Sequence, residues 1–300
     1  MAYPPYAQGV PKRESAQETL IKMLVFLALV VVLLVVLTKF KFIHPRDIPG
    51  WKGFYCGVIE QRQSRILIVH GDEGLGDPDK LANQLSRFRV SAPPEQLHAS
   101  RLSSGMLKNY ELVIVEKMKR VTFTQAEALK SYMDGGGSVI WIGDAGSEYY
   151  LSEEDRQAAL IENESNPGAY ERLLNKSAKT KGFGEIGQYY LGVTYLRTEA
   201  NASGVTLKVV DRNNPLVQAV VEELELGSMP FTVVAEGRVG AATGASKSAV
   251  LDYGGHEYPA VIDSKYVGRI VYIAFPPEQV TESVQPTGLL TNLVDFLVSC

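Results

Sequence analysis

Three short stretches carry the residue types that could do chemistry. The first, His70-Gly71-Asp72-Glu73-Gly74-Leu75-Gly76-Asp77, holds three glycines and three acids in eight residues. The second is Glu116-Lys117-Met118-Lys119-Arg120, and the third is Gly143-Asp144-Ala145-Gly146-Ser147-Glu148. A glycine-rich turn invites a phosphate, but the G-x-x-G-x-G spacing is not the dinucleotide fingerprint, and Asp72, Glu73 and Asp77 would repel an anion. Those acids together with Asp144 offer hard oxygens to a divalent cation. Acids in turns more commonly cap helices or sit solvated at loop tips, so no metal site is expected. Ser147 could act as a nucleophile with His70 as its base, although a serine after glycine at a helix start reads first as an N-cap. The candidate ligand-binding residues are Asp72, Glu73, Lys117, Asp144 and Ser147, joined by Glu278 near the C-terminus. No catalytic residue and no cofactor are expected.

These stretches acquire meaning from the elements that end in them. Ile66–Val69, Glu111–Val115 (ELVIV) and Ser138–Ile142 (SVIWI) are short, continuously apolar runs, as expected of strands buried on both faces. Helical stretches separate them, over 78–87 and over Thr124–Met133, the latter with Thr122 or Thr124 as N-cap and Gly135-Gly136-Gly137 as its stop. Residues 152–187 read as a polar helical insertion, built on EEDRQAALIENE and AYERLLNKSAK. Five apolar or alternating runs follow, at 205–210, 230–237, 248–254, 258–264 and 268–275. A helix over about 287–298 closes the chain, its apolar residues recurring at three- and four-residue spacing. In such an alternating sheet, ligands bind beyond the carboxyl ends of the strands at the topological switch point, where the three loops would meet.

The N-terminal part is of another kind. Met23–Thr38 is sixteen residues without a charge, about 24 Å of helix. Flanking apolar residues extend it to a transmembrane helix over 20–43, with Lys22, Lys39 and Lys41 reaching the headgroups. No small-residue cleavage site follows it, which favours an uncleaved signal anchor. The expected organisation is a disordered tail (1–19), the anchor (20–43), a stalk (44–64) rich in proline and glycine, and one α/β domain (65–300). Residues 1–53 hold seven basic and three acidic residues, which leaves 23 basic and 31 acidic residues beyond them, a net −8. An acidic domain excludes nucleic acid as a natural partner, while the basic excess sits where a lipid bilayer attracts it. Asn163, Asn175 and Asn201 begin N-x-S sequons, which favour an extracytoplasmic domain. The only cysteines, Cys56 and Cys300, are either free thiols or a disulfide that requires such a compartment.

RILIVHG (65–71), YELVIVEK through YMDGGGSVIWIGD (110–144), DRNNPLVQAV (211–220) and YPAVIDSKYVGRIVYIAFPPE (258–278) together resemble the class I glutamine amidotransferase-like domain. The resemblance implies an α/β, flavodoxin-like, mostly parallel sheet with helices on both faces, here preceded by the transmembrane helix. It also implies a short helix after the Pro of 211–220 and a closing hairpin at 258–278. Active members carry a Gly-x-Cys-x-Gly turn and a Phe-His-Pro-Glu segment. Here the turn is Gly143–Ser147 without cysteine, and the segment is Phe275-Pro276-Pro277-Glu278. A thiolate mechanism needs nucleophile and base, and this alignment supplies neither. The reading is a single-pass membrane protein presenting a catalytically silent amidotransferase-like domain, which binds or assembles with a protein partner in the membrane. The alternative is a membrane-anchored hydrolase or small-ligand-binding enzyme using other residues at the sheet mouth.

Overall fold

The structure is a computed structural model; it describes residues 16–39, 43, 48–60, 64–87, 93–218, 220–237, 244–265, 267–280 and 287–298. The chain divides into two compact units, Met1–Gln61 and Arg62–Cys300.

In the first unit, helix α1 (Ala16–Lys39) is 24 residues long, about 36 Å at 1.5 Å per residue. That exceeds the roughly 30 Å of a bilayer core, and among the described residues it is the one helix long and apolar enough to cross a membrane. A signal sequence would meet the same test of length and composition. The helix begins four residues before the expected start; residues 40–42 of the expected span, the tail before residue 16, and residues 44–47 and 61–63 of the stalk lie outside the described residues. The stalk is not wholly irregular. A helical turn α2 (Trp51–Phe54) runs into a wider turn over Tyr55–Glu60. Trp51 Nε1 donates to Thr38 Oγ1 at 2.9 Å, and its ring packs on Phe54 and Tyr55, so the chain folds back on the end of α1. Cys56, in that turn, is disulfide-bonded; its expected partner, Cys300, lies outside the described residues.

The second unit runs β1 (Ile66–His70), α3 (Pro78–Leu85), β2 (Glu95–His98), α4 (Ser104–Leu107), β3 (Leu112–Glu116), β4 (Arg120–Thr122), α5 (Phe123–Asp134), β5 (Ser138–Ile142) and β6 (Glu148–Tyr150). It continues through α6 (Glu153–Ser165), α7 (Ala169–Lys179), α8 (Gly184–Ile186), β7 (Val193–Val209), β8 (Glu223–Glu236), β9 (Ser246–Tyr253), β10 (His256–Lys265), β11 (Arg269–Ile273) and α9 (Thr287–Leu297). Nine strands form one sheet in the order β2-β1-β3-β5-β11-β10-β9-β7-β8. The first five are parallel. Counted among themselves in chain order they read 2-1-3-4-5, the flavodoxin-like order, with the switch point between β1 and β3. Right-handed crossovers place α3 on one face and α4 and α5 on the other. The apolar strands are buried along nearly their whole length.

Several elements depart from expectation. The sheet is parallel only in its core: β10, β9, β7 and β8 extend it antiparallel. Strand β7 starts twelve residues before the expected 205, since polar, exposed residues and repeated register shifts break the alternation that marks a strand. Residues 211–218 form successive turns instead of the helix that the family resemblance implied. Asn213 N donates to Asp211 Oδ1 and Leu216 N to Asn214 Oδ1, side-chain turns that compete with helix. Residues 258–278 do form the closing hairpin, β10 antiparallel to β11.

The helical insertion is fixed by one carboxylate. Thr122 caps α5 in a capping box with Gln125, and Ser152 caps α6 in a capping box with Asp155. Asp155 is buried and serves both helices: its oxygens accept from Thr124 N at 2.9 Å, Thr124 Oγ1 at 2.7 Å and Phe123 N at 3.3 Å as well as from Ser152 N. Burial raises its pKa, but bonds from the Thr124 hydroxyl and the amides of Ser152 and Thr124 outweigh it and hold the carboxyl below its ordinary value. Its stabilising contribution is therefore full above about pH 4 and lost as pH falls through the lowered native value. Asp155→Ala should cost about 2 kcal/mol at neutral pH, and thermal unfolding should show this difference narrowing in acid; an unchanged melting temperature at neutral pH would refute the double-cap role.

Candidate functional site

The carboxyl ends of β1, β3, β5 and β11 meet as the topology requires, and the loop after β1 fills the space between them. Backbone hydrogen bonds stitch it down: Gly71 N to Lys117 O at 3.1 Å, Lys117 N to Leu75 O at 3.0 Å, and Lys119 N to Glu73 O at 2.8 Å. The third loop joins the same seam, with Gly146 N to Met118 O at 2.7 Å and Glu148 N to Lys119 O at 3.0 Å. Lys117 is the one non-glycine residue with positive φ among those described, at 49°. That left-handed conformation costs roughly 1–2 kcal/mol, and the two loop bonds at its own N–H and C=O hold it there. Leu75 packs over the β5 turn so tightly that a Cβ on Gly143 would lie 3.0 Å from Leu75 Cβ.

Three carboxyl groups hold this loop from beneath. Asp144, 2 % exposed, accepts from Leu75 N at 2.8 Å through Oδ1 and lies 3.5 Å from Thr198 Oγ1 on β7. Burial raises its pKa, partly offset by the Leu75 amide and the Lys119 charge. Glu116, the last residue of β3, and Glu278, beyond β11, are both fully buried. Their Oε1 atoms accept from the same amide, Asp77 N, at 3.2 and 3.0 Å. Gly76 runs at φ 112°, and any Cβ there would fall 2.1 Å from Glu116 Oε1, so the close approach requires glycine. The two carboxyls thus meet at one amide, and the buried Oε2 atom of each has no hydrogen-bond partner among the described residues. Two carboxylates present acceptors only, so crowding both at one amide without a cation disfavours their charged forms. Burial pushes both groups above the ordinary carboxylate range, and the Glu278 charge adds to the rise at Glu116.

The residues named from sequence thus separate. Asp144 and Glu278 are buried in the seam. Ser147 does not start a helix: it precedes β6, its N–H donates to Asp144 O at 3.0 Å, and its buried Oγ has no partner. No bond joins it to His70, whose Nδ1 faces Gly71 O at 3.3 Å. Asp72 and Glu73 are exposed, and Lys117 is half-buried without an ion pair among the described residues. Asp72 instead meets His98, a residue that the sequence pattern did not single out, at 3.3 Å from Nε2. Ser100 N–H and Oγ both approach His98 Nδ1, at 3.3 and 2.7 Å. Nδ1 is therefore the acceptor and Nε2 carries the proton toward Asp72. These residues line a cavity of about 190 Å³ with Glu73, Arg120 and Tyr150, and Arg120 lies 4.7 Å above the Tyr150 ring. Among the described residues no group of three or more His, Cys, Asp or Glu is arranged to hold a metal ion.

No protein-family profile matches the chain, and no curated protein matches it by sequence. Solved structures do match. A ThuA-like protein from Bacteroides uniformis aligns over 79% of this chain and 92% of its own, at 12% identity and a TM-score of 0.52. The likeness is one of fold. Gan42B, a GH42 β-galactosidase from G. stearothermophilus, aligns over 79% of this chain at 13% identity and a TM-score of 0.50, and there the match spans only 30% of the enzyme. PurLQS from Thermotoga maritima aligns over 78% of this chain and 99% of its own at 13% identity, with a TM-score of 0.45.

The raised pKa values of this buried pair have a measurable consequence. Native carboxyls with raised pKa bind protons more tightly than the unfolded chain. The pair's contribution to stability is therefore full below the ordinary carboxylate value near pH 4.3 and is lost as pH rises through the raised values, at up to about 1.4 kcal/mol per pH unit for one proton. Glu278→Gln removes one of the two raised carboxyls together with the charge that lifts the other. It should flatten the fall in melting temperature between about pH 5 and 9, relative to wild type; parallel curves would contradict the raised native values.

Proposed function

We propose that the chain is a single-pass membrane protein whose amidotransferase-like domain serves as a non-catalytic binding or assembly module. The observation that carries this reading is the filled switch point: loop 71–77 occupies the crevice that flavodoxin-like folds offer to ligands, held by Asp144, Glu116 and Glu278. The family's thiol and imidazole positions agree, being the Gly143–Ser147 turn without cysteine and Pro276. The apolar α1 supports tethering to the bilayer, and the disulfide at Cys56 together with the three sequons supports an extracytoplasmic domain. Asn175 and Asn201 are exposed, and Asn163 is half-buried with its Oδ1 accepting from Gly168 N. The partner would be a membrane protein meeting the closed sheet end or the α6–α8 insertion.

One observation favours the alternative, a membrane-anchored hydrolase or small-ligand-binding enzyme: the Asp72–His98–Ser100 chain of hydrogen bonds at the mouth cavity, with a base aimed at a hydroxyl. A fluorophosphonate probe separates the readings. The module reading expects no labelling of Ser100; labelling lost in Ser100→Ala would install the enzyme instead.

The full chain, tagged and crosslinked in its native membrane and then purified in mild detergent, should bring a membrane protein with it in stoichiometric amount. A chain recovered alone, or one released from membranes by alkaline carbonate, would contradict the proposal.

A further inference from the structure

A cavity of about 510 Å³ lies between the α7–α8 connection and the start of β7, lined by Lys179, Lys181, Phe183, Glu185, Gln188 and Tyr195 among others. Its electrostatics differ from those of the domain around it. Glu185 is the one acid on its wall, and it is already taken: Lys130 Nζ lies 2.8 Å and Lys176 Nζ 3.5 Å from its Oε2. Both ammoniums also reach Glu127, at 2.8 and 3.4 Å. Lys179 and Lys181 are exposed and form no ion pair among the described residues. Four lysines thus face two glutamates, a local excess of two positive charges on a domain that is otherwise acidic.

The backbone that carries these lysines is fixed. Gly182 and Gly184 run at φ 58° and 54°. A Cβ on Gly182 would lie 2.9 Å from Tyr195 Cβ, and one on Gly184 would lie 2.8 Å from Thr180 Cγ2. Between them Phe183 is buried, its ring edge-on to Tyr195 at 5.4 Å and to Tyr272 at 5.7 Å. The turn is therefore pinned to β7 and β11 before any ligand arrives, and the entropy of ordering it is already spent in folding. Gln188, exposed on the same wall, makes no side-chain hydrogen bond among the described residues and offers a neutral donor.

We infer that this cavity binds a phosphate group, with Lys179 and Lys181 as its charged ligands and Gln188 as an added donor. The phosphate would belong to an anionic lipid headgroup or to a soluble phosphate. This site is separate from the closed sheet mouth and does not depend on the assembly reading.

The test is lysine footprinting of the full chain by amine acylation and mass spectrometry, with exposed Lys80 and Lys108 as internal references. In neutral detergent, inorganic phosphate is compared with chloride at equal ionic strength. In nanodiscs, phosphatidylcholine is compared with phosphatidylcholine containing phosphatidylglycerol. Protection of Lys179 and Lys181 by phosphate, with the references unchanged, assigns a soluble ligand; protection only with phosphatidylglycerol assigns a headgroup. Loss of both lysines should weaken binding about tenfold or more, so a Lys179→Ala, Lys181→Ala variant should not broaden the ³¹P resonance of phosphate or shift with phosphatidylglycerol as the wild type does. Equal labelling in every arm, or unchanged binding in the double variant, overturns the site.

Discussion

Two backbone amides of one loop, those of Leu75 and Asp77, are held by carboxyl groups from three other strands: Asp144 after β5, Glu116 at the end of β3 and Glu278 after β11. The loop leaves β1, so this capture ties all four central strands together at one end. Burying carboxyl groups is costly unless each finds partners or loses its charge. Here Asp144 receives an amide and the nearby Lys119 charge, while burial pushes the two glutamates toward their neutral forms. The arrangement imposes the rest of the local geometry. Gly76 must lack a side chain, Lys117 must turn left-handed, and Leu75 must lie over Gly143.

That closure turns three acids of the mouth, Asp144, Glu116 and Glu278, toward backbone amides. Acids that would be general acids in an open crevice are spent here on structure. What remains accessible lies to one side, over β2 and β4, where Asp72, His98, Ser100, Arg120 and Tyr150 surround a small cavity. The helical insertion is tied to α5 by Asp155, and it ends in the pinned, lysine-bearing turn before β7. These cavities therefore lie at the flanks of the sheet, not at its switch point.

Much of this was legible in the sequence. The continuously apolar strands at 66–69, 111–115 and 138–142 announced a parallel core, and the resemblance at 258–278 anticipated the closing hairpin. Strand β2 was hidden because its four residues, Glu-Gln-Leu-His, bury only one side chain. The first half of β7 was hidden because its register shifts destroy the period of two. At the site, Asp144 and Glu278 were recognisable as acids at strand ends, but local pattern cannot report that both are buried and facing backbone amides. Glu116 reads from sequence as the first residue of the second loop, but it is the buried last residue of β3, and a carboxylate closing an apolar strand is itself a signal of a buried partner. His98 had no spacing to mark it, since Asp72 reaches it across strands and not along the chain.

The central claim is that the loop after β1 is a fixed part of the fold that closes the switch point. Amide hydrogen exchange of the full chain tests it most directly, read at Leu75, Asp77 and Lys119. If the mouth is closed, these amides exchange as slowly as the core of β1 and β3, far more slowly than the exposed amides beside them at Asp72 and Glu73. Exchange at Leu75 and Asp77 as fast as at Asp72 would mean an open mouth with its acids free, and it would return the site to chemistry.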